Sequence, residues 1–425
     1  MKNHFCDLHA PLCGIFAPNS VNVASLRLPH SVQISHKSVT HISQKAFFKH
    51  TLGKMKETRD LCWTQSPCDE KAAKAAEWEE KMSELKNRML GKGSMEFATP
   101  VRIACSASIV GKKEGEGPLG QLFDQVGQED MFGAKTWEEA ESTLQKEAVA
   151  LCLQKSGAKI EEIRYLFAGD LLGQSIASSF GLAQYETPLF GLYGACSTSG
   201  LSITLGSITI AGGLADKVMC VTSSHFASAE KEFRYPLEYG SQRPLSASWT
   251  VTGGGAFLLS DKPGKKDRAQ IAGVTPGKIV DYGLKDSMNM GACMAPAACD
   301  TICRHFQDFK RKPEDYDKIV TGDLGYVGQQ ALFDLLSQKG FDITDRHMDC
   351  GIEMFDQKTQ DTHAGGSGCG CAATVLSAYL LKQLEEGHWK RILFLPTGAL
   401  LSKVSFNEGN TVPGIAHGVV IEGIS

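Results

Sequence analysis

From about residue 95 onward the chain alternates short, wholly apolar runs with longer segments in which apolar residues return every three or four positions. The first kind reads as buried strands and the second as helices packed on them, since side chains repeat every two residues in a strand and every 3.6 in a helix. "TWEEAESTLQKEAVALCLQKSG" sets Thr136 as an N-cap with Glu139 three residues later. It then keeps Ala140, Leu144, Ala148 and Leu151 on one face, and Gly157 ends it. "RYLFAGD" follows as a buried strand with Gly169 and Asp170 at its C-terminal edge. A predicted helix over 198–211 comes next, then the strands "KVMCVTSSH" and "TGGGAFLLSD". Alternating strands and helices predict a layered α/β sheet. The preceding residues differ. Positions 1 to about 60 show no sustained period and predict weak structure, whereas 69–90 is rich in Ala, Glu, Lys and Leu and predicts a solvated helix stopped by Gly91 and Gly93. In-frame methionines at 82, 89 and 95 leave open a start inside this extension.

The same order of landmarks then returns. "KIVTGDLGYVG" echoes "YLFAGDLLGQ", Asp323 against Asp170. "GSGCGCAATVL" echoes "LYGACSTSGL", Gly368 against Gly194, which sets Gly370 opposite Cys196. "IAHGVVIEG" echoes "TGGGAFLLS", Gly418 against Gly255. Gly-Asp and Gly-Gly pairs are common in loops, but three landmarks in register at strand ends predict an internal duplication with pseudo-twofold symmetry. The expected division is an extension over 1–92 and two α/β halves over 93–265 and 266–425.

Composition narrows the function classes. The 425 residues are 42% hydrophobic and 22% charged, which suits a large globular core, and a net charge of -4 without any basic stripe argues against nucleic acid. The 14 cysteines form no C-x-x-C pairs at zinc spacing, so they read as reduced thiols, and no metal site is expected. No apolar run reaches the ~18 residues of a membrane span, and the N-terminus has no secretion signal.

In a doubly wound sheet, ligands sit beyond the carboxyl ends of the strands. Asp170, Cys196, Ser197, His225, Asp323 and the glycine loop through Gly366, Ser367 and Gly368 all fall there. Cys196 stands at a predicted helix N-terminus, where free amides and the helix dipole lower a thiol's pKa and make a nucleophile. The alternative is a small residue filling a tight corner. His225 follows the neighbouring strand and is the candidate base, or a hydrogen-bonded structural histidine; His363 and His417 are weaker candidates. Asp170 and Asp323 either cap loop amides or meet across the pseudo-axis. "AEKEFRYPLEYGSQRP" brings Lys231, Arg234 and Arg243, with Tyr235 and Tyr239, toward the expected mouth, a mixture that suits a small aromatic dicarboxylate, a solvated loop or a dimer contact.

A duplicated α/β unit with a cysteine at a strand-to-helix corner resembles the thiolase and ketoacyl synthase superfamily. Within it, "GACSTS", "TSSHFASAEKEFRYPLEYGSQRP", "MAPAACDTI", "TGDLGYVG" and "AGGSGCGC" are similar to the stage V sporulation protein AD family of spore-forming bacteria. The resemblance covers about residue 95 to the end and implies the thiolase-like fold of layered α/β/α/β/α architecture. It also implies a protein of the developing spore that binds dipicolinic acid, alone or with Ca²⁺, beside membrane proteins of the same transport system at the spore inner membrane, and that pairs as a homodimer. Active members of the superfamily complete the cysteine with His and Asn, or two His, from the second half. Here "TGDLGY" and "AGGSGCGC" stand at those places without an imidazole or amide, so the resemblance implies recognition in place of turnover. The alternative is a thiol acyltransferase using Cys196 and His225.

Overall fold

The computed structural model describes residues 87–425, apart from positions 235, 265 and 425. The weakly structured stretch expected before residue 60, and most of the helix expected over 69–90, lie outside these residues. The end of that helix is corrected: Arg88–Leu90 is a strand, paired antiparallel with Ser94–Glu96 through a turn at 91–93. Gly91 takes φ 51 in that turn, which a helix cannot accommodate.

Among the described residues the main sheet has twelve strands, ten of them in one continuous path and two short ones, Arg88–Leu90 and Gln125–Val126, paired on Ser94–Val110. In chain order the ten are β1 (Ser94–Val110), β2 (Tyr165–Gly169), β3 (Leu189–Gly191), β4 (Lys217–Ser224), β5 (Gly253–Ser260), β6 (Ala269–Thr275), β7 (Lys318–Thr321), β8 (His347–Asp349), β9 (Arg391–Leu395) and β10 (Gly418–Glu422). Their spatial order is β8-β7-β9-β10-β6-β1-β5-β4-β2-β3. Read outward from the central antiparallel pair, β1-β5-β4-β2-β3 matches β6-β10-β9-β7-β8 strand for strand. The pairing senses match too: antiparallel, antiparallel, parallel, parallel in each arm. The duplication read from three sequence echoes is therefore a duplication of topology.

Helix α1 (Trp137–Ser156) starts where Thr136 accepts a hydrogen bond from the Glu139 amide at 3.2 Å and ends on Gly157 at φ 72. The Glu139 carboxylate turns to the Lys135 amide rather than to Thr136. Ala140, Leu144 and Ala148 pack it on β1, β4 and β5. Helix α2 (Thr198–Ala211) and helix α3 (Cys369–Val375), the latter continuing through a π-helical segment (Leu376–Leu380), meet between the two arms. Each belongs to one half yet touches strands of the other, which gives the central helical layer. Small residues make this approach feasible: a Cβ on Gly255 would stand 2.7 Å from Ala373 Cβ, and one on Gly370 would stand 2.3 Å from the Gly253 carbonyl oxygen. Strands β4 and β5 are buried nearly throughout, as strands covered on both faces must be.

Candidate functional site

The chain reaches Cys196 through a tight turn. Ala195 is held at φ 50, Ser197 donates to the Gly194 carbonyl at 2.7 Å, and Thr198 donates to the Ala195 carbonyl at 2.6 Å, so both hydroxyls directly after Cys196 are used locally, whereas buried Ser199 Oγ has no partner among the described residues. A left-handed alanine is strained by about 1–3 kcal/mol and persists only when its surroundings over-determine it. Cys196 is buried with Leu171, Ala229 and Cys369, and Phe233 packs on this cluster.

The second half supplies the thiol's polar neighbours. Asp323, just beyond β7, and the Gly368 amide both contact Cys196. Asp323 accepts hydrogen bonds from Thr397 Oγ1 at 2.6 Å and from the Gly368 amide at 3.1 Å. Burial pushes its carboxyl up to about 7, against the pull of these donors. The same burial, reinforced by the Asp323 charge, drives the Cys196 thiol well above its ordinary range. The expectation of an acidified thiol is thus corrected: the helix N-terminus is present, but desolvation of the thiolate outweighs it.

Other predicted site residues are placed elsewhere or are already committed. His225 caps the helix Phe226–Phe233: its Nδ1 accepts from the Ala227 amide at 3.1 Å and its Nε2 lies 2.8 Å from the Asp130 carbonyl. Neither nitrogen is left to take a proton from Cys196, which corrects its role as base. Asp170 accepts from the Leu172 amide and from Ser178 N and Oγ, all within 2.9 Å, so it holds the loop after β2 and does not meet Asp323 as a pair. The mouth expected at Arg234 is also corrected. Arg234 forms a buried ion pair with Glu230 and donates to the Ser248 carbonyl, Lys231 pairs with half-buried Glu138, and Arg243 is held by Gly240 and Asp361. Tyr235 lies outside the described residues. Gly366 and Ser367 form a short strand on Trp249 and Thr250, and Gly368, at φ 110, turns its amide onto Asp323. His363 Nδ1 is used by the Pro244 carbonyl, and His417 Nδ1 accepts from the Gly277 amide.

Beside the corner lies a cavity of about 630 Å³ built from both halves. Leu171 and Phe233 line it on the side of the corner, with Tyr193, itself 52% exposed, beside them, Gln174, Ser175 and Glu232 as polar lining, and Ser402, Lys403 and Asn407 as the lining from the second half. Leu171 and Phe233 face the cavity on one side and the Cys196 cluster on the other, so the thiol sits behind the wall and is not part of the lining. Gln174 and Ser175, at φ 57 and 50, concentrate further backbone strain at the rim. Thr397, Cys369, Tyr193 and Lys403 were missed by sequence reasoning. Thr397 had a usable signal, because the repeat sets it against Ser223, and Ser223 likewise donates to a buried carboxylate, Glu141, at 3.1 Å. Among the described residues, no group of three or more His, Cys, Asp or Glu is placed to hold a metal ion, and no helix is long and apolar enough to cross a membrane.

Two copies of a five-stranded α/β unit, meeting at a buried cysteine corner, define a thiolase-like protein. The sequence pattern of the stage V sporulation protein AD (SpoVAD) family matches residues 91–422, and stage V sporulation protein AD of Bacillus subtilis (strain 168) is 42% identical over 335 residues, covering 79% of this chain and 98% of that protein. The chain belongs to the SpoVAD family. Residues 1–28 separately match a family of unknown function, DUF6783. Similar solved structures include 3-oxoacyl-[acyl-carrier-protein] synthase III from Aquifex aeolicus VF5 (13% identity, TM-score 0.45, 76% of this chain and 99% of that one). Human mitochondrial 3-ketoacyl-CoA thiolase in complex with CoA is similar at 13% identity and TM-score 0.47, over 78% of this chain and 99% of that one.

Proposed function

We propose that this sporulation protein binds dipicolinic acid, pyridine-2,6-dicarboxylate, in the cavity between its halves and serves its uptake into the developing spore. The observation that carries this reading is the separation of cavity and thiol. A ligand-sized space with Lys403, Gln174, Ser175, Ser402 and Asn407 on its flanks and Tyr193 on its wall suits an aromatic ring with two carboxylates, while Cys196 stays behind Leu171 and Phe233. Glu232, on the same lining, offers an oxygen to Ca²⁺ if the ligand arrives as its chelate. With no spanning helix among the described residues, the protein meets the membrane proteins of its transport system as a peripheral partner at the spore inner membrane. A homodimer forms along β3, an edge strand paired on one side only among the described residues, where Phe190 is 48% exposed.

The test is thermal stabilisation of the full chain by dipicolinate, with and without Ca²⁺. A ligand at 100 times its Kd stabilises by about 2.7 kcal/mol. A saturable rise in Tm, diminished in Lys403→Ala, supports the reading; no rise at millimolar ligand overturns it. The second reading, acyl transfer, rests on Cys196 at its helix start beside Asp323. Incubation with acyl-coenzyme A donors and intact-mass analysis decides it, because an adduct lost in Cys196→Ala would establish a thioester.

A further inference from the structure

Away from the Cys196 corner, one cluster sets two cations against a single indole. Phe226 stacks on Trp249 with ring centroids 3.9 Å apart and planes 14° from parallel, which covers one face. Lys113 Nζ lies 4.4 Å and Arg243 Cζ 4.9 Å from the Trp249 ring centroid, on the face Phe226 leaves to them. Their hydrogen bonds are incomplete. Arg243 Nε donates to the Gly240 carbonyl at 2.8 Å and Nη2 to the Asp361 carbonyl at 2.7 Å and to Asp361 Oδ2 at 3.2 Å, but buried Nη1 has no acceptor. Lys113 Nζ donates to the Gln360 carbonyl at 2.6 Å, leaving two of its three protons. The Arg243 side chain is only 1% exposed, whereas its partner Asp361 is 76% exposed.

The charges do not balance. Among the described residues, Asp361 is the one carboxylate paired with Arg243, and it is shared with His363 at 3.1 Å. Glu114, next in sequence to Lys113, is buried and its carboxyl is pushed up to about 7 by that burial, so it contributes less than a full negative charge near neutral pH. Burial lowers the Lys113 ammonium, Glu114 opposes this, and the Arg243 charge lowers it further.

We propose that Lys113 and Arg243 form a binding site for the carboxylate of a small monocarboxylate above Trp249, one oxygen accepting from Lys113 Nζ and the other from Arg243 Nη1. Asp361 beside Arg243 and, more weakly, exposed Glu116 near Lys113 already offset part of the two positive charges, which favours a monoanionic carboxylate over a phosphate dianion. The site is separate from the dicarboxylate cavity and does not depend on that reading.

The test uses tryptophan fluorescence of the full chain, titrated with sodium acetate or sodium phosphate against chloride at constant ionic strength. The expected result is a saturable change with acetate that vanishes in Trp249→Phe and whose midpoint rises at least about tenfold in Lys113→Gln, the loss of one charge-assisted hydrogen bond. Arg243→Gln alters a buried side chain and is interpreted only if its circular dichroism matches the parent, whereas Lys113 is half-exposed and its variant carries the test. No Trp249-dependent saturation with acetate, an unchanged midpoint in Lys113→Gln, or saturation by phosphate alone would each overturn the assignment.

Discussion

Replacing Asp323 by asparagine removes the carboxyl that contacts Cys196, and its consequence is best read in the pH dependence of stability. In the fold this carboxyl titrates near 7, against an ordinary 3.8. Between those values it is protonated when folded and ionised when unfolded, so the stability it lends is complete below pH 3.8 and is lost as pH rises through 7. At about 1.36 kcal/mol per pH unit, the shift of roughly 3 units amounts to about 4 kcal/mol in all, of which about 2.5 kcal/mol is lost between pH 5 and pH 8. Asparagine keeps an acceptor for Thr397 but sets an N–H group against the Gly368 amide, a cost of about 1–3 kcal/mol that does not vary with pH. Other buried carboxyls, such as Glu141 near 8 and Glu114 near 7, act alike in parent and variant and cancel in the difference. The measurement is therefore Tm of both proteins from pH 5 to pH 8. The variant gains on the parent as pH rises, by on the order of 3 °C across the range. Two parallel curves would show that Asp323 titrates normally and that the corner is not the dry environment described.

Three further outcomes follow from packing and capping. Iodoacetamide at pH 8 should alkylate Cys196 at least about tenfold more slowly than a free thiol, since burial and Asp323 raise its pKa; rapid modification at that position by peptide mass mapping would contradict this. Gly370→Ala places a methyl group 2.3 Å from the Gly253 oxygen and 2.9 Å from the Ser224 nitrogen, so a loss of about 1–3 kcal/mol or more is expected in thermal melts. Thr136→Ala removes the cap on the Glu139 amide and should cost about 1 kcal/mol, with Thr136→Ser restoring most of it.

The elements were legible because they rest on local rules. Thr136 and Gly157 bracket α1 in the structure as they do in the sequence, and the alternation of apolar runs and amphipathic segments carried the order of strands and helices. The three echoes at Asp170 and Asp323, Gly194 and Gly368, and Gly255 and Gly418 exposed the duplication, because each marks a strand end or a helix start that both arms need. The strand at Arg88–Leu90 escaped the same reasoning: its residues have good helix propensity, but pairing with β1 overrides a preference worth only tenths of a kcal/mol per residue.

The chemistry of the site obeyed no local rule. Whether His225 is free depends on the Asp130 carbonyl, 95 residues earlier, and whether Arg234 points into a mouth depends on Glu230 and Ser248 closing around it. Cys196 carries the sequence signature of an activated thiol, yet its environment is set by Asp323, Gly368 and Cys369 from the other half and by the Leu171 and Phe233 wall. Sequence alone determined that two α/β units would close on one cysteine, since periodicity and turn chemistry are written residue by residue. The tertiary structure decided that the thiol is protonated, enclosed and paired with a carboxyl, because desolvation and proton affinity are properties of what surrounds a group, and those surroundings come from distant parts of the chain.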